Sequence, residues 1–189
     1  MTQTRFFALL AAASLFLLSA CGPPWKVIRA SGPPSALAGQ TVIGVSFDWS
    51  RAMLGGQPEQ VWLAGQPPDD QQSYMEVRNA IMQTFMIELT NQLAARGITV
   101  VPSTGAEPVQ LVVQPLTLEM GFYRFVMSMD SQLDTALVWQ VGGQETDQIQ
   151  LHTTATANMA NASILERMGT CATRSARLAA DFYRRAQSQ

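Results

Sequence analysis

Few side chains in this 189-residue chain are suited to covalent or acid–base chemistry: two cysteines, Cys21 and Cys171, one histidine, His152, and one lysine, Lys26. No glycine-rich run precedes a lysine, no cysteine pair has CxxC spacing, and a lone histidine excludes a multi-histidine metal site. His152 lies on the polar side of a strand pattern, between Leu151 and Thr153. The chain has no GxSxG-type nucleophile elbow, so this residue reads as a solvated strand histidine. Asp69-Asp70 stands ahead of a helical pattern, where carboxylates complement the positive end of the helix dipole and need no metal to explain them. Cys171 falls on an apolar helical face as a small, inert hydrophobe. The expectation is a protein that is not an enzyme and that carries no cofactor and no metal.

Cys21 differs because of what precedes it. Residues 1–20 begin polar with one positive charge, Arg5, continue as an apolar run over 6–18, and end in small residues, the pattern of a secretory signal. The run is shorter than the roughly 20 apolar residues a membrane-spanning helix needs.

Composition agrees with a folded domain that avoids strongly charged partners. Apolar residues make up 47% and charged residues 14%, with a net charge of −2. Average soluble domains carry about 25% charged residues, so amides and hydroxyls must wet this surface, and nucleic acid is not an expected partner. One local exception is a row of arginines on the last helix: Arg167, Arg174, Arg177, Arg184 and Arg185. These side chains either meet anionic headgroups or simply solubilise the polar face and complement the helix C-terminus.

Residues 21–39 contain Pro23-Pro24 and Pro33-Pro34 and read as a semi-stiff tether, with a short docked strand around Trp25, Val27 and Ile28 as the alternative. From residue 40 to 187 one domain is expected. Ile43, Val45, Phe47 and Trp49 alternate as a half-buried strand. Residues 51–72 read as a long loop, with Val61-Trp62-Leu63 as a short strand inside it. Ser73-x-x-Glu76 has capping-box spacing for a helix starting near Tyr74, whose Val77, Ile81, Phe85 and Leu89 share one face and whose stop is Gly97. Alternating runs follow through Val109, Leu111 and Val113, then Leu116, Leu118 and Met120. Pro115 between them implies an edge position or a bulge. Leu133 to Val141 and Ile149 to Ala157 read as two strands of a hairpin turning at Gly142-Gly143. Ser163-x-x-Glu166 caps the last helix, with Ile164, Leu165, Met168, Cys171, Ala172, Leu178, Ala179, Phe182 and Tyr183 inward and the arginines outward. The expected fold class is α+β: a two-layer domain with a mixed, mostly antiparallel sheet and two amphipathic helices on one face.

One segment breaks the alternation. As a continuous strand, residues 121–129 send Phe122 and Val126 one way and Tyr123, Phe125, Met127 and Met129 the other, so both faces are apolar. Either the strand is buried on both sides, or the Tyr123, Phe125, Met127 and Met129 face is an exposed contact patch. With Phe122, these are the candidate partner-binding residues.

Leu18-Ser19-Ala20-Cys21 resembles the lipobox of bacterial lipoproteins. That resemblance implies a thioether from Cys21 to diacylglycerol, removal of residues 1–20 and acylation of the new amine. Gly22 in place of Asp implies sorting to the outer membrane. Two or more acyl chains anchor stably where one does not. The run NQLAARGITVV, the strand VQLVVQPLTLEM, the hairpin and the terminal amphipathic helix are together similar to small periplasmic α/β lipoproteins. Those include the curli-secretion lipoprotein, the lipoprotein activators of peptidoglycan synthases and domains like the N-terminal domain of TolB. The resemblance implies a periplasmic, outer-membrane-anchored lipoprotein that binds or scaffolds envelope proteins, with the membrane as partner through Cys21. The alternative is an auxiliary subunit handling lipid or lipopolysaccharide. It requires a cavity of about 300 Å³ or more between sheet and helices, lined by residues such as Phe85, Trp139 and Phe182.

Overall fold

In the computed structural model, residues 24–124 and 127–188 are described, Tyr123 by its backbone alone. Cys21 and Phe125 lie outside the described residues. The chain runs β1 (Trp25–Arg29), β2 (Val42–Phe47), β3 (Met53–Leu54), β4 (Gln57–Pro58), α1 (Glu59–Ala64), α2 (Pro68–Ala94), β5 (Thr99–Pro102), β6 (Val109–Glu119), β7 (Phe122–Arg124), β8 (Met127–Met129), β9 (Ser131–Val141), β10 (Gln144–Ala155) and α3 (Ile164–Gln187). The main sheet has the order β1-β10-β9-β6-β2-β5, with β3 also joining β6 and pairing β4. β2 is parallel to β5 and β6, and the sheet is otherwise mostly antiparallel. It is the expected α+β architecture, with a third, short helix added.

Period-two patterning decides which face is covered. Val109, Leu111 and Val113 of β6 and Leu133, Leu137 and Trp139 of β9 are buried toward α2 and α3. The opposite face carries Gln110, Gln114, Gln132, Asp134, Gln140, Gln148, Gln150 and His152, which water can reach. Pro115 sits beside a bulge, the register to β9 shifting between Pro115 and Thr117. On its other side, β2 stops pairing at Val113 and β3 resumes at Thr117, so the missing N–H of proline falls in a gap of the ladder. Gly142 and Gly143 have φ of 59° and 78°, as a two-residue hairpin with two left-handed positions requires.

Residues 25–40 are docked onto the domain. β1 pairs with β10, Trp25 opposite Leu151. Trp25 meets Phe182 edge-on at 6.0 Å, with the Arg185 guanidinium 4.8 Å above its ring. Leu37 is fully buried. The Gln187 amide donates to Leu37 O at 2.7 Å and Gln40 O at 2.9 Å, and the Tyr183 hydroxyl donates to Gln40 O at 2.8 Å. Burial raises that phenol to about 12.

Three local expectations are corrected. Val61-Trp62-Leu63 lies in helix α1, because Glu59 is held inside by the Tyr74 hydroxyl at 2.6 Å and Arg78 at 3.0 Å, which seats that turn on α2. The long helix begins at Pro68 rather than near Tyr74, since proline is pre-set for the first helical position. Ser73 is therefore inside the helix, and its hydroxyl donates back to Asp69 O at 2.9 Å. Ser163 does stand at the N-cap of α3, but its side chain makes no capping bond.

Candidate functional site: an apolar end built around a buried arginine

The segment 121–129 is neither a buried central strand nor a continuous one. β7 and β8 form a separate two-stranded sheet with Phe122 opposite Met129, Tyr123 opposite Ser128 and Arg124 opposite Met127. Cross-strand partners share a face, so Met127 and Met129 stand with Phe122 and Arg124. The single strand expected over 121–129 is instead an antiparallel pair, which sets Met127 and Met129 on the same face as Phe122 rather than on the other one; Phe125 and the Tyr123 side chain lie outside the described residues. Gly121 sets the hairpin's departure. Its φ is +63°, and a Cβ there would run into the carbonyl oxygens of Met129 and Asp130, so only glycine fits.

The hairpin shares one end of the sheet with the 156–163 connection and the first turn of α3. That end exposes a set of large apolar side chains: Met127 (62%), Met129 (44%), Met159 (72%), Ile164 (38%) and Leu165 (45%). Ile164 and Leu165 were expected to face inward. They do not, because the first turn of α3 is oriented by the residue that was expected to face out.

That residue is Arg167, which is fully buried. Its Nε donates to Ser131 Oγ at 2.9 Å, Nη1 to Asn161 O at 3.1 Å and Ala162 O at 2.5 Å, and Nη2 to Met120 O at 3.3 Å. Ser131 in turn donates to Met120 O. All four partners of the guanidinium are neutral oxygens, a costly way to bury a charge unless every donor direction is used. The arrangement ties both ends of the 120–131 excursion to the α3 N-terminus, and Asp130 adds a bond from Ala157 N at 2.9 Å. Arg167 borders the apolar stripe on a helical wheel, one position from Met168. Spacing there does not say whether a long side chain turns in or out.

Beside this knot lies a groove of about 520 Å³, lined by Trp62 of α1, Tyr74 and Val77 of α2, Met120, and Ile164 and Leu165 of α3. Trp62 leans on Tyr74 at 5.4 Å between ring centroids, and the Glu59–Arg78 pair fixes both helices. Burial, then the Glu59 bond, drives the Tyr74 phenol far above its ordinary range. Residues 51–72 thus supply one wall of the groove.

The other candidates resolve as structure. Arg174 donates to Thr154 O, Arg177 bonds Glu88 at 2.6 Å across the two long helices, Arg184 pairs with Asp181, and Arg185 covers Trp25. The Arg177 bond holds the Glu88 carboxyl below its ordinary value. The arginine row is therefore a set of local contacts. His152 does find a carboxylate, Asp134 on the neighbouring strand, with Nδ1 at 2.6 Å from Oδ1, but the pair is on the open face of the sheet. Cys171 is buried, with its thiol raised to about 11 by desolvation. Asp69 and Asp70 occupy the first turn of α2. Among the described residues, no group of three or more His, Cys, Asp or Glu side chains is gathered for a metal.

Phe85 and Trp139, expected around a lipid cavity, are buried in the closed core. Trp139 stacks on Phe182 at 6.2 Å and on Tyr183 at 5.2 Å, and Phe85 meets Phe47 at 5.7 Å. The apolar opening is at the end of the two layers instead of between them.

No family model matches the chain, and no curated protein does. Among solved structures, the PelC dodecamer from Paraburkholderia phytofirmans aligns with a TM-score of 0.45 at 9% identity, over 81% of this chain and 97% of that one. Protein XCC0632 from Xanthomonas campestris gives 0.39 at 9%, over 87% and 95%. A minor lipoprotein from Acinetobacter baumannii gives 0.38 at 9%, over 79% and 94%. Scores of this size transfer neither family nor activity.

Proposed function

We propose that this chain is a lipid-anchored, non-enzymatic binding module of the bacterial envelope, held at the periplasmic face of the outer membrane through Cys21 and acting through the apolar end of its domain. The observation that carries the binding surface is the cost of that end. Arg167 is buried without a carboxylate in order to hold Met127, Met129, Met159, Ile164 and Leu165 in water beside an apolar groove. A domain whose core is already closed gains nothing from such a patch unless something covers it. The envelope location is supported by the signal-like residues 1–20 and the Leu18-Ser19-Ala20-Cys21 motif.

In-cell photo-crosslinking tests the reading. A benzophenone amino acid replacing Leu165 should give discrete adducts in intact envelopes, and the same group replacing Gln144, at the opposite end of β10, should give none. Equal adduct patterns at both positions, or neither a protein nor a lipid adduct at Leu165, would overturn it.

A further inference from the structure

We infer that the apolar end lies against the lipid bilayer that holds the Cys21 anchor, so that what covers Met127, Met129, Met159, Ile164 and Leu165 is lipid. The inference deepens the function proposed above and rests on Cys21 being the lipid-attachment residue. It follows from how little chain separates the anchor from the folded domain. Because β1 is paired into the sheet from Trp25 onward, the span from Cys21 to Pro24 is three peptide units, which reach at most about 11 Å in any conformation. With residues 21–39 free, the domain would range far from the membrane. With β1 docked, the bilayer surface must pass close to Pro24.

Strand register then says which end is near. β1 is antiparallel to β10, with Arg29 opposite Gln148 and Trp25 opposite Leu151, so Pro24 sits beside Leu151 and His152, nearer the Ala155 end of β10 than its Gln144 end. Ala155 pairs with Ser131, the residue that Arg167 ties to the hairpin and the α3 N-terminus. Pro24, three peptide units from the anchor, and the exposed methionines therefore lie toward the same end of the sheet. Gly142-Gly143 and the α2 C-terminus lie at the other, about 35 Å away along β10. The groove lined by Trp62, Met120 and Leu165 opens at the near end as well. Flexible, polarizable methionines suit a disordered acyl surface, and added apolar burial supplements the acyl anchor.

The test uses the full-length, lipidated protein in vesicles of phosphatidylethanolamine and phosphatidylglycerol, with and without nitroxide on the acyl chains. Met127→Cys, Met159→Cys, Val27→Cys and Gln144→Cys each carry a fluorophore. Buried Cys171, its thiol raised to about 11, does not compete for the label. Loss of emission at positions 127 and 159 with none at 144 is the expected result. Quenching at 27 alone would mean that the domain lies on its β1 edge, and no quenching anywhere would mean that it stands off the bilayer. Either overturns the inference while the anchor stands. A protein adduct from the Leu165 photo-crosslinker, with unquenched probes, would also overturn it while keeping the binding-module reading. If palmitate-analogue labelling finds no lipid on Cys21, anchor and inference fall together.

Discussion

The Nε of Arg167 donates to the hydroxyl of Ser131 at 2.9 Å, joining the first turn of α3 to the strand that leaves the β7–β8 hairpin. Arg167→Met should strip donors from Ser131 and from the carbonyls of Met120, Asn161 and Ala162, costing about 2–4 kcal/mol. Urea unfolding should show the lower midpoint, and Arg167→Lys should restore little, since one ammonium cannot reach both sides of the knot. A midpoint unchanged in Arg167→Met would mean that the buried guanidinium holds nothing in place.

The exposed side chains at the same end should behave oppositely. Met127→Ser combined with Leu165→Ser trims side chains that the folded domain leaves 62% and 45% exposed, so its stability should stay within about 1 kcal/mol of the parent. A thermal melt separates the cases. A loss of several kcal/mol would place both side chains in the core and end their role as a contact surface.

How much of this was legible in the sequence depended on which periodicities were local. The hairpin at Gly142-Gly143 and the inward faces of β6, β9 and α2 follow from alternation or four-residue steps within one element, and the structure keeps them. The inward Arg167, the departure at Gly121 into the antiparallel β7–β8 pair, and the inward Glu59 were not legible. Each is fixed by partners distant in sequence: Ser131 and Met120 for Arg167, Met129 and Asp130 carbonyls for Gly121, Tyr74 and Arg78 for Glu59. Capping-box spacing at Ser73 and Glu76 misled because Pro68 opens the helix a turn and a half earlier.

Glu59 offers a second stability test. Glu59→Ala leaves the Tyr74 hydroxyl and the Arg78 guanidinium without their shared acceptor, and should cost about 2–3 kcal/mol. Tyr74→Phe should cost less, about 1 kcal/mol, because it removes donor and desolvation together. In the double variant the two losses should add to less than their sum, the sign of a direct interaction. Strict additivity in urea midpoints would contradict the contact.

Glu107 carries the clearest pH prediction. Its carboxylate accepts from the Thr104 hydroxyl at 2.7 Å and from Thr104 N at 3.0 Å, bonds that lower it from 4.5 to about 2, and Gly105 N also donates to it at 3.2 Å. A folded value below the unfolded one means that this contribution is complete above 4.5 and is lost as pH falls toward 2. Amide exchange at Thr104 and Gly105 should therefore lose protection across that window, and Glu107→Gln should remove the pH dependence. Protection that is flat over the window in the parent protein would show that the carboxylate does not hold the turn.

Metabolic labelling with an alkynyl palmitate analogue tests the account at its root, because location, orientation and reach all depend on Cys21. Serine supplies no thiolate for lipidation. The parent protein should carry label in the membrane fraction, and Cys21→Ser should carry none and accumulate as a precursor that retains residues 1–20. Unchanged labelling in Cys21→Ser, or an unlabelled parent, would contradict the account.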